Sequence, residues 1–220
     1  MKNCNALSNQ TMCRILLIAC ATALAVAFTV ALPQRAHAAD VKPPPVPSNI
    51  EVPAGNTAFL EGHGVGTQNY ICLPSDSGFA WTLFTPQATL FSDDDEQVTT
   101  HFFSPNPFEN NTNPRVVAAG MIRATWQHSQ DTSTVWAKAI ASYSNPGFVA
   151  RGDIPLVLLQ VVGAQPTGGV TLSGTTFIQR LNTSGGAAPS TDCASSADVG
   201  KQAFVPYTAD YFFYKAADGQ

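Results

Sequence analysis

The run Ala118-Ala119-Gly120-Met121-Ile122-Arg123-Ala124-Thr125-Trp126-Gln127, the polar turn Ser129-Gln130-Asp131-Thr132 and the run Thr134-Val135-Trp136-Ala137-Lys138-Ala139-Ile140-Ala141 decide the fold class. Side chains alternate across a strand, so Ala118, Gly120, Ile122, Ala124 and Trp126 share one face of the first run. Met121, Arg123, Thr125 and Gln127 share the other. In the second run Val135, Ala137, Ala139 and Ala141 oppose Trp136, Lys138 and Ile140. Matching the small apolar faces across a four-residue loop sets Trp126 against Val135 in a core and Trp136 beside Thr125. A five-residue loop centred on Asp131 instead brings the two tryptophans face to face. The first register predicts a buried Trp126 and a Trp136 on the opposite face, at least partly open. It also sets Arg123 opposite Lys138, a like-charge pair that costs stability. An aromatic ring between two cations on a polar sheet face has the make-up of a platform for sugars or anionic small molecules. The rival expectation is a second sheet or a loop covering that face.

Working outward from this hairpin, β-type runs punctuated by Gly, Pro, Asn and Asp recur at 57–61, 68–73, 80–84, 89–91, 98–103, 115–127, 134–143, 154–162, 174–181 and 203–215. No stretch carries the i, i+3, i+4, i+7 apolar pattern of a capped helix. The expectation is a mostly β single domain, a sandwich or a barrel of about 8–10 short, mainly antiparallel strands. Ile154 to Leu159 is apolar on both faces, as a strand covered on both sides would be. Tyr207, Tyr211, Phe213 and Tyr214 fit a last strand that closes the core.

The N-terminus is read as an export signal. Arg14 precedes an apolar run from Ile15 to Leu32, Pro33 breaks it, and Ala36-His37-Ala38 offers a cleavage site before Ala39. A membrane span over the same run and a lipoprotein box at Leu17-Ile18-Ala19-Cys20 are the weaker readings. Residues 39–49, with Val41-Lys42-Pro43-Pro44-Pro45-Val46-Pro47, are a proline-rich lead, and 50–220 form the domain. Cleavage removes Cys4, Cys13 and Cys20 and leaves Cys72 and Cys193 to pair in an oxidising compartment, secreted or periplasmic. It also removes Lys2, Arg14 and Arg35, leaving 8 basic residues against 15 acidic ones, a formal charge of −7. Phosphate backbones and anionic lipid repel such a chain, so nucleic acid and membrane are excluded as partners. A small molecule, a glycan or a surface partner remains.

Catalytic signatures are few. Gly62-His63-Gly64-Val65-Gly66 lacks dinucleotide-loop spacing, no Gly-x-Ser-x-Gly elbow exists, and Asp93-Asp94-Asp95-Glu96 reads as a solvated turn without EF-hand spacing. No His-x-His or His-x-x-x-His pair grips zinc, so neither metal nor cofactor is expected; the alternative is a metal site assembled from His101, His128 and Asp131. Ile178, Arg180 and Asn182 alternate with Phe177, Gln179 and Leu181, so Arg180 shares one strand face with Ile178 and Asn182. Its planar fork suits pinning carbonyls of the Thr183–Gly186 loop or the Asp210 carboxylate. An anion-binding role facing a pocket is the alternative.

Tyr70-Ile71-Cys72, Trp81, Pro86-Gln87-Ala88-Thr89-Leu90, Ile154-Pro155, Ile178-Gln179-Arg180-Leu181-Asn182-Thr183, Cys193 and Val205-Pro206-Tyr207-Thr208-Ala209-Asp210-Tyr211 together resemble the secreted bacterial and fungal domain of unknown function 3455 family. Leu156 replaces a common tryptophan, and Thr132 replaces the usual glycine of Asp-Gly-Ser. The resemblance implies a secreted single domain and no established activity. Residue chemistry points first to a binding or surface-interaction domain, with Trp136, Arg123, Lys138, His101 and Asp131 as ligand-contact candidates. The alternative is an extracellular hydrolase of carbohydrate or ester with a site assembled across the fold, which acid–base groups such as His101 and Asp131 within hydrogen-bond reach would favour.

Overall fold

Eight antiparallel strands close into a barrel in which each pairs with its sequence neighbours and the last returns to the first. The computed structural model describes residues 41–110, 120–165 and 169–217. The export segment expected over 1–38 lies outside the described residues, as does the 115–119 stretch of the opening hairpin. The strands are β1 (Asn56–Ser75), β2 (Gly78–Phe91), β3 (Gln97–Asn106), β4 (Met121–His128), β5 (Thr134–Tyr143), β6 (Leu156–Gln165), β7 (Thr175–Gly185) and β8 (Gln202–Ala216). Of the two architectures expected, the barrel is the one that forms. The hairpin takes the four-residue register, with Trp126 opposite Val135 and Thr125 opposite Trp136.

Ten expected runs become eight strands because two pairs fuse. The 57–61 and 68–73 runs join through Gly62-His63-Gly64-Val65-Gly66 into β1. Glycines weaken an ordinary strand, but here they face the barrel interior, where space is short. A Cβ on Gly64 would lie 2.8 Å from Cε2 of Tyr211, and one on Gly66 would lie 2.1 Å from the Gln87 carbonyl oxygen. The 80–84 and 89–91 runs join through Pro86 into β2. Pro86 lies just outside the β2–β3 pairing, which begins at Ala88 opposite His101, so its missing N–H interrupts no bond there.

The interior core gathers Trp126 (β4), Val135 and Ala137 (β5), Val157 and Leu159 (β6) and Ile178 (β7), sealed from β8 by Tyr207, Tyr211 and Phe213. A second cluster lies outside the wall. There Leu156 and Leu158 of β6, Leu181, Phe212 and Tyr214 meet a fully buried Ile50, against which Val41 and Val46 of the proline-rich lead also pack. The doubly apolar stretch of β6 is thus covered on both faces, as its pattern predicted. Gln179, on the outer face, donates to the Ile50 carbonyl at 2.7 Å and accepts from the Tyr214 hydroxyl. Cys72 and Cys193 form a disulfide across 121 positions, fastening the far end of β1 to the segment leading into β8.

Candidate functional site

The barrel interior is not filled to its end. A cavity of about 340 Å³ lies there, and Trp126, His101, Tyr211, Arg180 and Gln68 line it together with Phe103, aliphatic side chains and, at its border, Arg123 and Lys138. Its depth is aromatic: His101 stacks on Trp126 with centroids 4.1 Å apart and planes at 8°, and the Tyr211 ring tilts against both. Ala137, Ala139, Val157 and Leu159 line the aliphatic side. The space exists because small residues stand on the inner faces of β4 and β5, where bulky ones would close it.

The polar groups here are mostly donors. Arg180 directs Nε and Nη2 to the Pro155 carbonyl at 3.3 and 2.9 Å. Neither the Thr183–Gly186 carbonyls nor Asp210 takes it, contrary to the expected pinning; Asp210 is held by His63 and Asn182 instead. Among the described residues no carboxylate forms an ion pair with Arg180. Its charge is felt by the ring of His101 and by the hydroxyls of Tyr207 and Tyr211. Burial drives the His101 imidazole down to about 3; the bond to the Thr125 carbonyl opposes this, and the Arg180 charge adds to it. His101 is therefore neutral at any physiological pH and a weak base. Gln68, 1% exposed, approaches the Tyr207 hydroxyl without a well-formed bond, and its Nε2 has no hydrogen-bond partner; nor does Trp126 Nε1.

The expected platform on the opposite face is closed. Trp136 lies across the wall from Trp126 as the register requires, but it is only 5% exposed. Phe108 packs edge-on against it at 5.9 Å, and its Nε1 donates to Ser104 Oγ at 2.8 Å. Arg123 does not confront Lys138 as a bare cation. It grips Glu109 through Nε and Nη2, each at 2.8 Å, and this pair together with Asn106 fastens the turn that carries Phe108. Gly163 of β6 makes the cover possible, since a Cβ there would fall 2.9 Å from the Phe108 ring. Of the platform residues, Arg123 and Lys138 nevertheless border the interior cavity.

Asp131 does not meet His101. It accepts from Ser133 N and Oγ and from Thr171 N, and lies 3.0 Å from His128 Nδ1. Burial alone would raise its pKa, but these donors override that and hold the carboxyl well below the usual range. It is a turn anchor. The proposed metal set of His101, His128 and Asp131 is likewise not assembled. The grouping that does form among the described residues is Glu61, His63 and Asp210, whose ligand atoms lie within 4.8 Å of one another on the outer wall. Both ring nitrogens of His63 are already engaged there, Nδ1 by Asp210 at 2.7 Å and Nε2 by Asp93 at 2.9 Å.

Sequence reasoning missed Gln68 and Tyr211 as cavity residues and gave Arg180 an anchoring role. The available signal was the two-residue spacing of Ile178 and Arg180, which commits both side chains to the same face. No curated protein and no solved structure matches this chain. The sequence model of the family described as Protein of unknown function (DUF3455) matches residues 53–215, which span all eight strands but for Ala216 at the end of β8. The closed barrel, its donor-lined cavity and its single described disulfide are therefore features of a chain that belongs to the DUF3455 family.

Proposed function

We propose that this protein is an exported binding protein that takes a small molecule into the barrel interior. The observation that carries the reading is the cavity itself: about 340 Å³, walled by aliphatic and aromatic side chains with a few convergent polar groups. That is the make-up of ligand sites, at the small end of their range of roughly 300–1,000 Å³. The catalytic alternative has less support, because the acid–base pair that would favour it, His101 with Asp131, does not form and His101 is a poor proton acceptor. Export, to the periplasm or beyond the cell, rests on the signal pattern ending at Ala38 and agrees with the disulfide. The domain in this reading is residues 50–220 behind the 39–49 lead.

The test is saturable binding of the neutral fluorescent probe N-phenylnaphthylamine to the protein beginning at Ala39. Ala139→Trp is the control, since Ala139 is exposed yet borders the cavity, so a large ring there blocks the entrance without disturbing the core. Binding by the wild type and its loss in Ala139→Trp, at unchanged thermal stability, is the expected result. Probe binding that ignores the plug, or no binding by either protein, refutes interior binding.

A further inference from the structure

We propose that the ligand is an acid, with a carboxylate seated against Arg180 and Gln68 and an apolar or aromatic body lying along Trp126 and the aliphatic wall; this rests on the interior-binding reading above. Arg180 is half-buried, and a guanidinium partly withdrawn from bulk water is costly unless an anion or several acceptors offset it. Arg180 has one carbonyl, with the Tyr211 hydroxyl also close to it, and, among the described residues, no carboxylate. The surrounding groups cannot supply the missing charge. Burial pushes the Tyr207 and Tyr211 hydroxyls up, so both stay neutral, and His101 is neutral as well.

A second observation points the same way. Gln68 lines the same cavity, is all but fully buried, and has an amide nitrogen without a partner. Buried donors left unmade are expensive, and native structures hold few of them. Trp126 Nε1 is a further orphan in a ring that lines the cavity. Cation and orphan donors in one cavity call for a ligand rich in acceptors and bearing negative charge. A carboxylate meets a guanidinium edge with two parallel bonds, a fit that a single hydroxyl or amide oxygen lacks. Apart from Lys138 and Arg123 at its border, the remaining lining is aliphatic or aromatic, which favours an apolar body over one as polar as a sugar. Lys138 and Arg123 border the same cavity, and of these Arg123 is offset by Glu109. That leaves the approach net positive on a chain that is otherwise acidic, a field that steers anions inward.

The experiment displaces N-phenylnaphthylamine with hydrocinnamate and, separately, with its neutral primary amide hydrocinnamamide, using wild type, Arg180→Met and Arg180→Lys. The expected result is displacement by the carboxylate at about tenfold lower concentration than by the amide in wild type, the size of one charge-assisted contact. The preference should survive in Arg180→Lys and vanish in Arg180→Met. Probe binding with equal displacement by acid and amide, or with displacement by neither, overturns the acid-ligand inference and leaves interior binding standing. Failure of the probe to bind removes both. Should Arg180→Met not fold, the acid-to-amide ratio in wild type still decides.

Discussion

Thr132 holds a φ of 55°, a left-handed conformation that costs a β-branched residue about 1–2 kcal/mol. Thr132→Gly should therefore stabilise the fold by about 1 kcal/mol, read as a higher melting temperature; an unchanged or lower value refutes the strain argument. The neighbouring Asp131 keeps its place in the turn through Ser133 and Thr171, so the substitution leaves the anchor intact. At this scale the sequence was legible wherever alternation alone decides. Trp126 was placed inside and Trp136 outside from the register of small residues. The cover over Trp136 was not legible, because it depends on Asn106, Glu109 and the bare Cα of Gly163, residues scattered over 57 positions that meet only when the sheet curls. Nor could alternation reveal that Arg180 would look into open space rather than packed side chains.

Between elements, His63 works as a latch. Its imidazole is shared by Asp210 of β8 and by Asp93 in the turn after β2, and bonds to both carboxylates require the doubly protonated ring. The hydrogen bond it donates to Asp210, then the one it donates to Asp93, raises its pKa above the ordinary value. Glu61 beside it is raised by burial, against the pull of His63. A basic group whose folded pKa is raised contributes stability in full below its unfolded value of about 6.5 and loses it as pH climbs through the folded value. The melting temperature of wild type minus that of His63→Gln should accordingly be largest in mild acid and shrink at alkaline pH. His101 titrates in the opposite sense but is common to both proteins and cancels in the difference. A difference that does not vary with pH shows that the latch carries no charge. Strand existence was readable from β-type runs, whereas strand length was not. Gly62-His63-Gly64-Val65-Gly66 resembles punctuation in one dimension and becomes the middle of a 20-residue strand once Tyr211 takes the space the missing side chains leave.

For the whole molecule, closure is the property on which cavity and core both depend. The ladder from Asn56 opposite Ala216 to Ile71 opposite Gln202 is the seam, and β8 brings to it Tyr207, Tyr211 and Phe213, which fill the interior from one side. A chain ending at Pro206 should show no cooperative thermal transition, since it exposes two unpaired edges and removes the three rings together. A sharp transition in that truncation means the first seven strands fold unaided. The choice between sandwich and barrel was not readable from local patterns, because both use alternating strands joined by tight turns and differ only in whether the end strands meet.

That meeting fixes a schedule. Asn56 finds Ala216 across 160 intervening steps of chain, so the earliest strand made is the last to be satisfied on both sides. Contacts of such separation demand loop entropy before they return any stabilisation, which places this barrel among slow folders. Until the final strand arrives, β1 offers a 20-residue ribbon of bare amide and carbonyl groups to whatever is nearby. The vulnerable period of this protein's life is therefore its synthesis: a holdase that grips one extended segment through that interval would do more for its yield than any improvement in the finished core.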